Sequence, residues 1–344
     1  MSDLPLDDSP LNDSPLNSPL DASPVSASPP RVAVIIPARD EAAVIGQAIA
    51  SILAQDFPGR LEIFLIDDHS TDGTAAAAAK AAGSDPRLTI ISAPPLEAGW
   101  TGKLWALSQG VSAASSKPFD FYLFTDADIV HSPTNVQELG AQAESSEDGP
   151  FDVVSLMVQL SQETLAERAL IPAFVFFFFM LYPPGAGSRG AAGGCLLIRP
   201  AALRRAGGLA AIRNEIIDDC SLAREVRRAG GRIWLGPTRE TRSVRHYETF
   251  GEIGRVISRS AFSQLRYSWL TLAGMLVGMT LLFWTPLVIL PMLLFMRTLR
   301  YYGRSLLWTL ALPLIALFYM GATLHSAIRH AQGRGGEWKG RFRV

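Results

Sequence analysis

Short apolar runs alternate with helix-like stretches over residues 31–159. The runs VAVIIP, LEIFLIDD, RLTIIS, FYLFTDAD and FDVVSLMV are rich in β-branched and aromatic residues and have the length of strands. Between them lie AVIGQAIASILAQ, TAAAAAKAAG and LWALSQGVSAA, which have the length and composition of helices. This alternation predicts βαβ units and an α/β fold with a mainly parallel sheet, covered by helices on both faces.

Acidic pairs follow apolar stretches at three places in the chain. A single pair is typical of a solvated loop end, because Asp favours turns. Three pairs favour a bound cation instead, since adjacent like charges are costly unless a positive charge lies between them. In open α/β sheets the ligand binds beyond the carboxyl ends of the strands, where two of these pairs fall. The pairs are Asp67-Asp68, Asp126 with Asp128, and Asp218-Asp219.

Two long stretches near the end of the chain are apolar. Residues 270–296 contain no charged side chain, and residues 305–328 contain none apart from a charge on His325 when it is protonated. Both exceed the roughly 20 residues that a membrane helix needs, so they predict a membrane domain over residues 263–330 with about two transmembrane helices. The earlier run AFVFFFFMLY, within residues 165–182, is too short for a span and predicts a core or interfacial helix.

Basic residues near these stretches give a conflicting signal for orientation. Arginines before the first stretch (255–266) and after the second (from 329) favour the cytoplasm for both ends. Three further arginines at positions 297–304 would then face outward, a conflict that a re-entrant first stretch would remove. We expect a multi-pass protein of the inner cell membrane with its α/β domain in the cytoplasm.

Composition and charge indicate which kinds of partner and which cellular compartment to expect. The formal net charge of -1 gives no sign of the basic face of a nucleic-acid binder, so no nucleic acid is expected. Cys195 and Cys220 predict free thiols rather than a disulfide framework. Residues 1–30 repeat DSPL-like units and predict a disordered Pro/Ser-rich tail without the features of a signal peptide. Residues 331–344 predict a basic cytoplasmic tail.

Four motifs occur in a specific order: VIIPARDEAAVIGQAIASILAQ, IDDHSTDGTA, GWTGKLWALSQG and FTDADIV. Together they resemble the catalytic domain of the family 2 inverting glycosyltransferases, which have the GT-A fold, and the likeness extends over about residues 31–267. The stretches GWTGKLWAL, NEIIDDCSLAREVRRAGG and AFSQLRYS resemble the hopene-associated glycosyltransferases in particular. The resemblance implies a catalytic domain over residues 31–262 that moves one sugar from a nucleotide-diphosphate donor, UDP-linked, to a lipid hydroxyl. A hopanoid acceptor follows from the resemblance alone.

Position by position, the resemblance also assigns roles. Asp219 takes the place of the general base, and a divalent metal (Mg²⁺ or Mn²⁺) is held by Asp126 and Asp128, with His246 as a third ligand. The expected contacts to the donor nucleotide and its phosphates are Pro37, Ala38, Asp40, Glu41, Asp68, Lys103, Asp126 and Arg266. The expected neighbours of the donor and acceptor sugars are Gly193, Gly194 and Asp218.

The sequence departs from the family pattern in two places. The acidic pair reads Asp218-Asp219 where the family has Glu-Asp, and either residue could serve only as an N-cap of the helix SLAREVRRAGG. The stretch QLRY stands where processive members carry Gln-x-x-Arg-Trp, which argues against a polysaccharide-extruding synthase. Two alternatives remain: a transferase for polyprenyl phosphate or another glycolipid, and a non-catalytic membrane protein that binds nucleotide sugars.

Overall fold

The structure is a computed structural model and describes residues 29–333. All but the innermost residues of the two predicted tails, 1–30 and 331–344, lie outside the described residues. The strands are β1 (Arg31–Ala38), β2 (Arg60–Asp67), β3 (Leu88–Ser92), β4 (Phe121–Thr125), β5 (Ile129–Val130), β6 (Val153–Gln159), β7 (Gly185–Ala186), β8 (Cys195–Ile198) and β9 (Ile233–Ser243). The α-helices are α1 (Ile45–Leu53), α2 (Thr74–Ala82), α3 (Gly102–Ala114), α4 (Asn135–Glu144), α5 (Leu165–Leu181), α6 (Pro200–Arg205), α7 (Asp218–Arg228), α8 (Phe250–Gln264), α9 (Trp269–Trp284), α10 (Ile289–Tyr301) and α11 (Leu312–Ala331).

The strands form one sheet in the order β3-β2-β1-β4-β8-β6-β9-β5, with β7 paired to β9. The neighbours β3, β2, β1 and β4 are all parallel, which confirms the predicted α/β fold for this half of the sheet. Strand β8 lies antiparallel between β4 and β6. Its apolar run, CLLI, has only four residues, too few for the alternation of strands and helices to reveal it.

Helices cover both faces of the parallel strands because β1 is apolar and buried from Val32 to Ala38. Ile36 packs in the cluster that includes Ile49 of α1, whereas Ile35 packs in the opposite cluster with Leu104 of α3. Helix α3 lies close to the sheet: a Cβ atom at Gly110 would lie 2.3 Å from the Cγ2 atom of Ile35. This close packing fixes the start of α3 beside the carboxyl ends of β1 and β4.

The C-terminal helices pack onto α5 and differ from the two predicted spans. The prediction of a single membrane span over residues 270–296 is wrong. Helix α9 ends at Trp284, and a short 3₁₀ helix, Pro286–Val288, precedes α10. Proline lacks the backbone N–H that an uninterrupted helix would use at this point. Over the described residues, only the helical stretch Leu306–Ala331 has the length and apolar composition to cross a bilayer, and α8 and α9 would qualify only as a pair bent by 120°. The helix lengths therefore do not support a multi-pass architecture.

Candidate active site

A cleft opens at the carboxyl ends of β1 and β4. One wall is apolar and includes Leu104, Leu196 and Leu222. The polar residues around it come from distant parts of the chain, as expected for the ligand edge of an α/β sheet. Of the residues predicted for the site, the cleft brings together Pro37, Lys103, Asp126, Gly193, Asp218 and Asp219.

Lys103 is the positive centre of this cleft. It is the second residue of α3, and its Nζ atom lies 2.9 Å from an Asp126 carboxylate oxygen and 3.1 Å from one of Asp218. Burial by itself would lower the pKa of Lys103, but the two carboxylates outweigh burial and hold this pKa above its ordinary value. The side chain is therefore a fixed cation that joins the end of β4 to the start of α7.

Asp219 has the surroundings of a general base. It lies in the first turn of α7, where its Oδ1 atom accepts a hydrogen bond of 2.7 Å from the backbone N–H of Cys220. Burial raises the pKa of Asp219 to about 7, and the like charge of Asp218 contributes in the same direction. A carboxylate with this pKa exchanges protons at neutral pH, which is the property that base catalysis requires.

The alternative that Asp218 or Asp219 serves only as the N-cap of α7 does not agree with the residue at which this helix begins. Helix α7 begins at Asp218, and the N-cap position is Ile217, which makes no side-chain capping bond. Both acids thus lie in the first turn, where negative charge suits the helix dipole. Both residues line the cleft, and Asp219 also accepts a hydrogen bond from the Cys220 N–H within this turn.

Gly193 keeps the backbone close to both charged groups. A Cβ atom at this position would lie 3.1 Å from Asp219 Oδ2 and 3.5 Å from Lys103 Nζ. Gly194 has a different environment, because a Cβ atom there would lie 3.1 Å from Val158 in β6. The structure therefore places Gly193 at the cleft and Gly194 in the packing of the sheet.

The end of β4 is held by a buried hydrogen-bond network. The hydroxyl of Thr125 donates to the carbonyl of Gly194 at 2.9 Å and lies 3.0 Å from Nε2 of His131. Burial lowers the pKa of His131 to about 4, so its ring is neutral at pH 7. This network fixes the residue immediately before Asp126 against Gly194, the residue that precedes β8.

The two acids of the Asp-Ala-Asp stretch have different surroundings. Asp126 faces the cleft, where burial raises its pKa in spite of the neighbouring Lys103. Asp128 is buried, and its Oδ2 atom accepts hydrogen bonds from Ser243 Oγ at 2.6 Å and Arg245 Nε at 3.2 Å. Only the first acid is therefore directly open to a ligand in the cleft.

Arg245 is a site residue that the sequence analysis missed. Its Nη2 atom lies 2.7 and 2.6 Å from the two carboxylate oxygens of Glu41, while its Nε atom binds Asp128. It thereby ties the loop after β1 to the Asp-Ala-Asp stretch. In the sequence, Arg245 is only a basic residue next to His246. A single arginine after a strand does not indicate which acids it contacts.

The loop expected to touch the nucleotide is built by contacts with the loop after β2. The Oδ1 atom of Asp40 accepts a hydrogen bond of 2.8 Å from the backbone N–H of Thr71, and the Asp40 N–H donates to Ser70 Oγ at 3.0 Å. Asp68 is fully buried, with a carboxylate oxygen 3.8 Å from the guanidinium of Arg39. Ala38 is also buried, whereas Pro37 lines the cleft. Asp40 and Asp68 thus lie in the loops after β1 and β2, and neither is among the residues that line the cleft.

Two predicted site residues, His246 and Arg266, are not among the residues that line the cleft. The Nδ1 atom of His246 lies 2.9 Å from Ser161 Oγ and 3.8 Å from the Glu163 carboxylate, beside the start of α5. Arg266 is exposed at the turn between α8 and α9, with a φ of 52°. The structure gives neither side chain a contact with the acids of the cleft.

The described residues contain no group of three or more His, Cys, Asp or Glu side chains arranged to hold a metal by themselves. Mg²⁺ typically needs only one or two carboxylates from the protein when substrate phosphates supply the remaining oxygen ligands. The carboxylate of Asp126, open to the cleft and backed by Asp128, fits such a shared site. The oxygen donors therefore suit a cation that binds together with a diphosphate.

A partly parallel α/β sheet with an acidic, lysine-centred cleft at the carboxyl ends of β1 and β4 defines a GT-A-type domain. The chain belongs to glycosyl transferase family 2, whose model matches residues 33–207, just over half of its length. The mannosyltransferase from Pyrobaculum calidifontis, solved in complex with GDP-Man and Mn²⁺, is similar over 92% of this chain and 91% of its own, with a TM-score of 0.57 and 19% identity. At this identity the likeness establishes the shared fold.

Curated relatives align over shorter segments. The beta-monoglucosyldiacylglycerol synthase of Synechocystis sp. is 35% identical over 63 residues, or 18% of this chain and 13% of that protein. An N-acetylglucosaminyltransferase of Mesorhizobium japonicum is 28% identical over 122 residues, or 35% of this chain and 27% of that protein. The chain thus aligns with well under a third of the length of either relative.

Proposed function

We propose that the chain is a membrane-anchored inverting glycosyltransferase that moves one sugar from a nucleotide-diphosphate donor, UDP-linked, to the hydroxyl group of a lipid. One observation carries this proposal: Asp219, with a pKa of about 7, lines the same cleft as the Lys103–Asp126 ion pair. A single ligand in this cleft is therefore within reach of a base, Asp219, and of a cationic side chain that can bind a diphosphate, Lys103.

The reaction follows from the residues of the cleft. Lys103 binds the negative diphosphate, and Asp219 takes the proton of the acceptor hydroxyl as its oxygen bonds to the anomeric carbon. The bond from that carbon to the diphosphate oxygen breaks at the same time, and its electron pair leaves with the diphosphate. One base and one displacement invert the anomeric centre, so no second nucleophilic carboxylate is needed.

The donor is expected to bind with Mg²⁺ or Mn²⁺, for which Asp126 and Asp128 are the proposed protein carboxylates. When bound, such an ion neutralises charge on the leaving diphosphate as a Lewis acid. Asp126 would offer its cleft-facing oxygen, and Asp128 would hold the backbone of the stretch through Ser243 and Arg245. Asp68 and the loop around Asp40 are the proposed base and ribose side of the donor site.

A lipid acceptor is supported by the apolar C-terminal helices, which pack on α5 beside the catalytic domain. The glycolipid synthase among the relatives supports the same class of acceptor. A hopanoid remains the proposed acceptor on the resemblance of the sequence motifs, with another glycolipid or polyprenyl phosphate as the alternative. The catalytic domain is proposed to face the cytoplasm, where nucleotide sugars are available.

The test is incubation of membranes that contain the protein with a panel of labelled nucleotide sugars, followed by mass analysis of the lipid extract. Membranes with the Asp219→Asn variant at equal abundance are the control. We expect one labelled donor to yield a new glycolipid with the parent protein only. If no donor gives a product although UDP binds, the chain is a nucleotide-sugar-binding protein and the proposed transfer is wrong.

A further inference from the structure

The apolar C-terminal segment returns to the catalytic domain between its two hydrophobic stretches. Arg304, in the connection after α10, donates a hydrogen bond of 2.6 Å from its Nε atom to Gln162 Oε1, just after β6. The guanidinium of Arg239 in β9 lies 4.2 Å from the centre of the Tyr301 ring. The connection that two spans would place across the membrane is therefore held against the catalytic domain.

Both ends of α8 also contact the catalytic domain. Near its start, the backbone N–H of Tyr247 donates to the Glu167 carboxylate of α5 at 2.8 Å. At its end, Gln264 hydrogen-bonds with the hydroxyl of Tyr182, the residue that follows α5. Helix α8 therefore lies along the surface of the domain rather than leading away from it.

Helix α11 runs beside α8 in the same direction. The ring of Phe318 lies 6.3 Å from that of Phe250 at one end of α8. At the other end, the backbone N–H of Phe262 donates to Ser326 Oγ at 3.1 Å, and the ring of His330 stacks on Tyr267 at 4.2 Å. Although α11 belongs to the stretch long enough to span, it follows α8 across the same face of the domain.

The lengths and charges of the neighbouring helices also disfavour a crossing. With 16 and 13 residues, α9 and α10 are only about 24 and 20 Å long, against a hydrocarbon core of about 30 Å. Arg255 and Arg259 on α8 are exposed, and charged side chains are costly inside hydrocarbon. A helix laid against α8 therefore lies at the depth of the headgroups or just below it.

The C-terminal helices nevertheless expose an extensive apolar surface. Among the described residues, all but five of the exposed large hydrophobic side chains lie from Trp269 onward, and Leu270, Leu307 and Leu310 are 84%, 75% and 71% exposed. Exposed arginines near the end of α10, Arg297 and Arg300, supply charge that suits lipid phosphates. Apolar side chains with arginines beside them fit the surface of a lipid leaflet.

We propose that residues 250–331 form a monotopic membrane anchor. The anchor inserts into the cytoplasmic leaflet only, and none of its helices crosses the bilayer. The inference rests on the membrane attachment in the proposed function, and it is independent of the proposed chemistry. It also removes the conflict over the arginines at 297–304, because these residues stay on the side of the catalytic domain.

The test uses variants with one added cysteine each and a membrane-impermeant maleimide. The variants are Ser116→Cys on the exposed surface of the catalytic domain, Ser305→Cys after α10 and Gln332→Cys after α11. Each is labelled in inverted and in right-side-out vesicles, and the parent, whose Cys195 and Cys220 are buried, gives the background. We expect all three variants to react in inverted vesicles and none in intact right-side-out vesicles.

Two results would overturn the proposal. If the Ser305→Cys and Gln332→Cys variants react from opposite faces of the membrane, α11 crosses the bilayer. If the Ser116→Cys and Ser305→Cys variants react from opposite faces, the hairpin of α9 and α10 crosses it. Loss of the parent from membranes after a salt wash would also contradict a leaflet-inserted anchor. Donor turnover by detergent-solubilised protein is measured separately, so a failure of the proposed transfer is distinguished from a failure of the proposed topology.

Discussion

The Nε atom of Arg245 lies 3.2 Å from the carboxylate of Asp128, although 117 positions of the chain separate the two residues. The same guanidinium binds both carboxylate oxygens of Glu41. An arginine after the last strand thus contacts both the loop after β1 and the loop after β4. Asp126 faces the cleft, so the two acids of the Asp-Ala-Asp stretch have different surroundings.

Replacing Arg245 should weaken both the fold and donor binding. Arg245→Ala removes the shared counter-charge of two acids with little exposure, and losing one partner of a buried ion pair typically costs about 3–5 kcal/mol. Arg245→Lys keeps the charge without the two-pronged geometry, so its effect should be intermediate. Thermal unfolding in detergent and UDP titration measure these effects. Arg242→Ala, at an exposed position near the end of β9, is the control, and equal behaviour of the two alanine variants would contradict this role.

Gly193→Ala should reduce turnover much more than stability. The added Cβ atom would lie 3.1 Å from Asp219 Oδ2, so the carboxylate or the backbone must shift by a few tenths of an ångström. A small misplacement of a reacting group can lower the rate on the order of tenfold to a hundredfold. Gly140→Ala in α4, where a Cβ atom meets nothing within 4 Å, is the matched control. Unchanged turnover of Gly193→Ala in a donor-hydrolysis or transfer assay would remove Gly193 from the reacting centre.

The pH dependence of kcat/KM should report the carboxyl group of Asp219. A base acts when deprotonated, so kcat/KM should fall as the pH drops through about 7, the pKa of this buried group. Asp218→Asn removes a like charge that raises this pKa, so the acid limb should move to lower pH. The remote Asp85→Asn should leave the profile in place. An acid limb that Asp218→Asn does not move would show that another group sets it.

The sequence predicted the parallel half of the fold well because its strands and helices are regular and alternate. The family resemblance also predicted Lys103, Asp126, Asp218 and Asp219 for one site, and the position of Asp126 after β4 agrees with a ligand edge at the carboxyl ends of parallel strands. The antiparallel strand β8 was not found, because a four-residue apolar run without a helical connection has no distinctive period.

The remaining differences concern contacts over long distances in the chain. Arg245 could not be paired with Asp128 and Glu41 from local patterns, because nothing near residue 245 specifies which acids it meets. The apolar stretch 270–296 had the composition of a span, but Pro286 and the contact between Arg304 and Gln162 decide its path. Composition indicates that a segment is apolar, whereas tertiary contacts determine whether it crosses a membrane.

The assignment of Asp219 as the base is tested most directly by measuring donor turnover and UDP binding side by side for the parent and for Asp219→Asn. We predict that turnover falls by about 10²–10⁴-fold, the usual contribution of a general base. UDP affinity should be retained or slightly increased, because the substitution removes negative charge near the diphosphate. A variant that turns over the donor as fast as the parent, with equal UDP binding, would contradict the account.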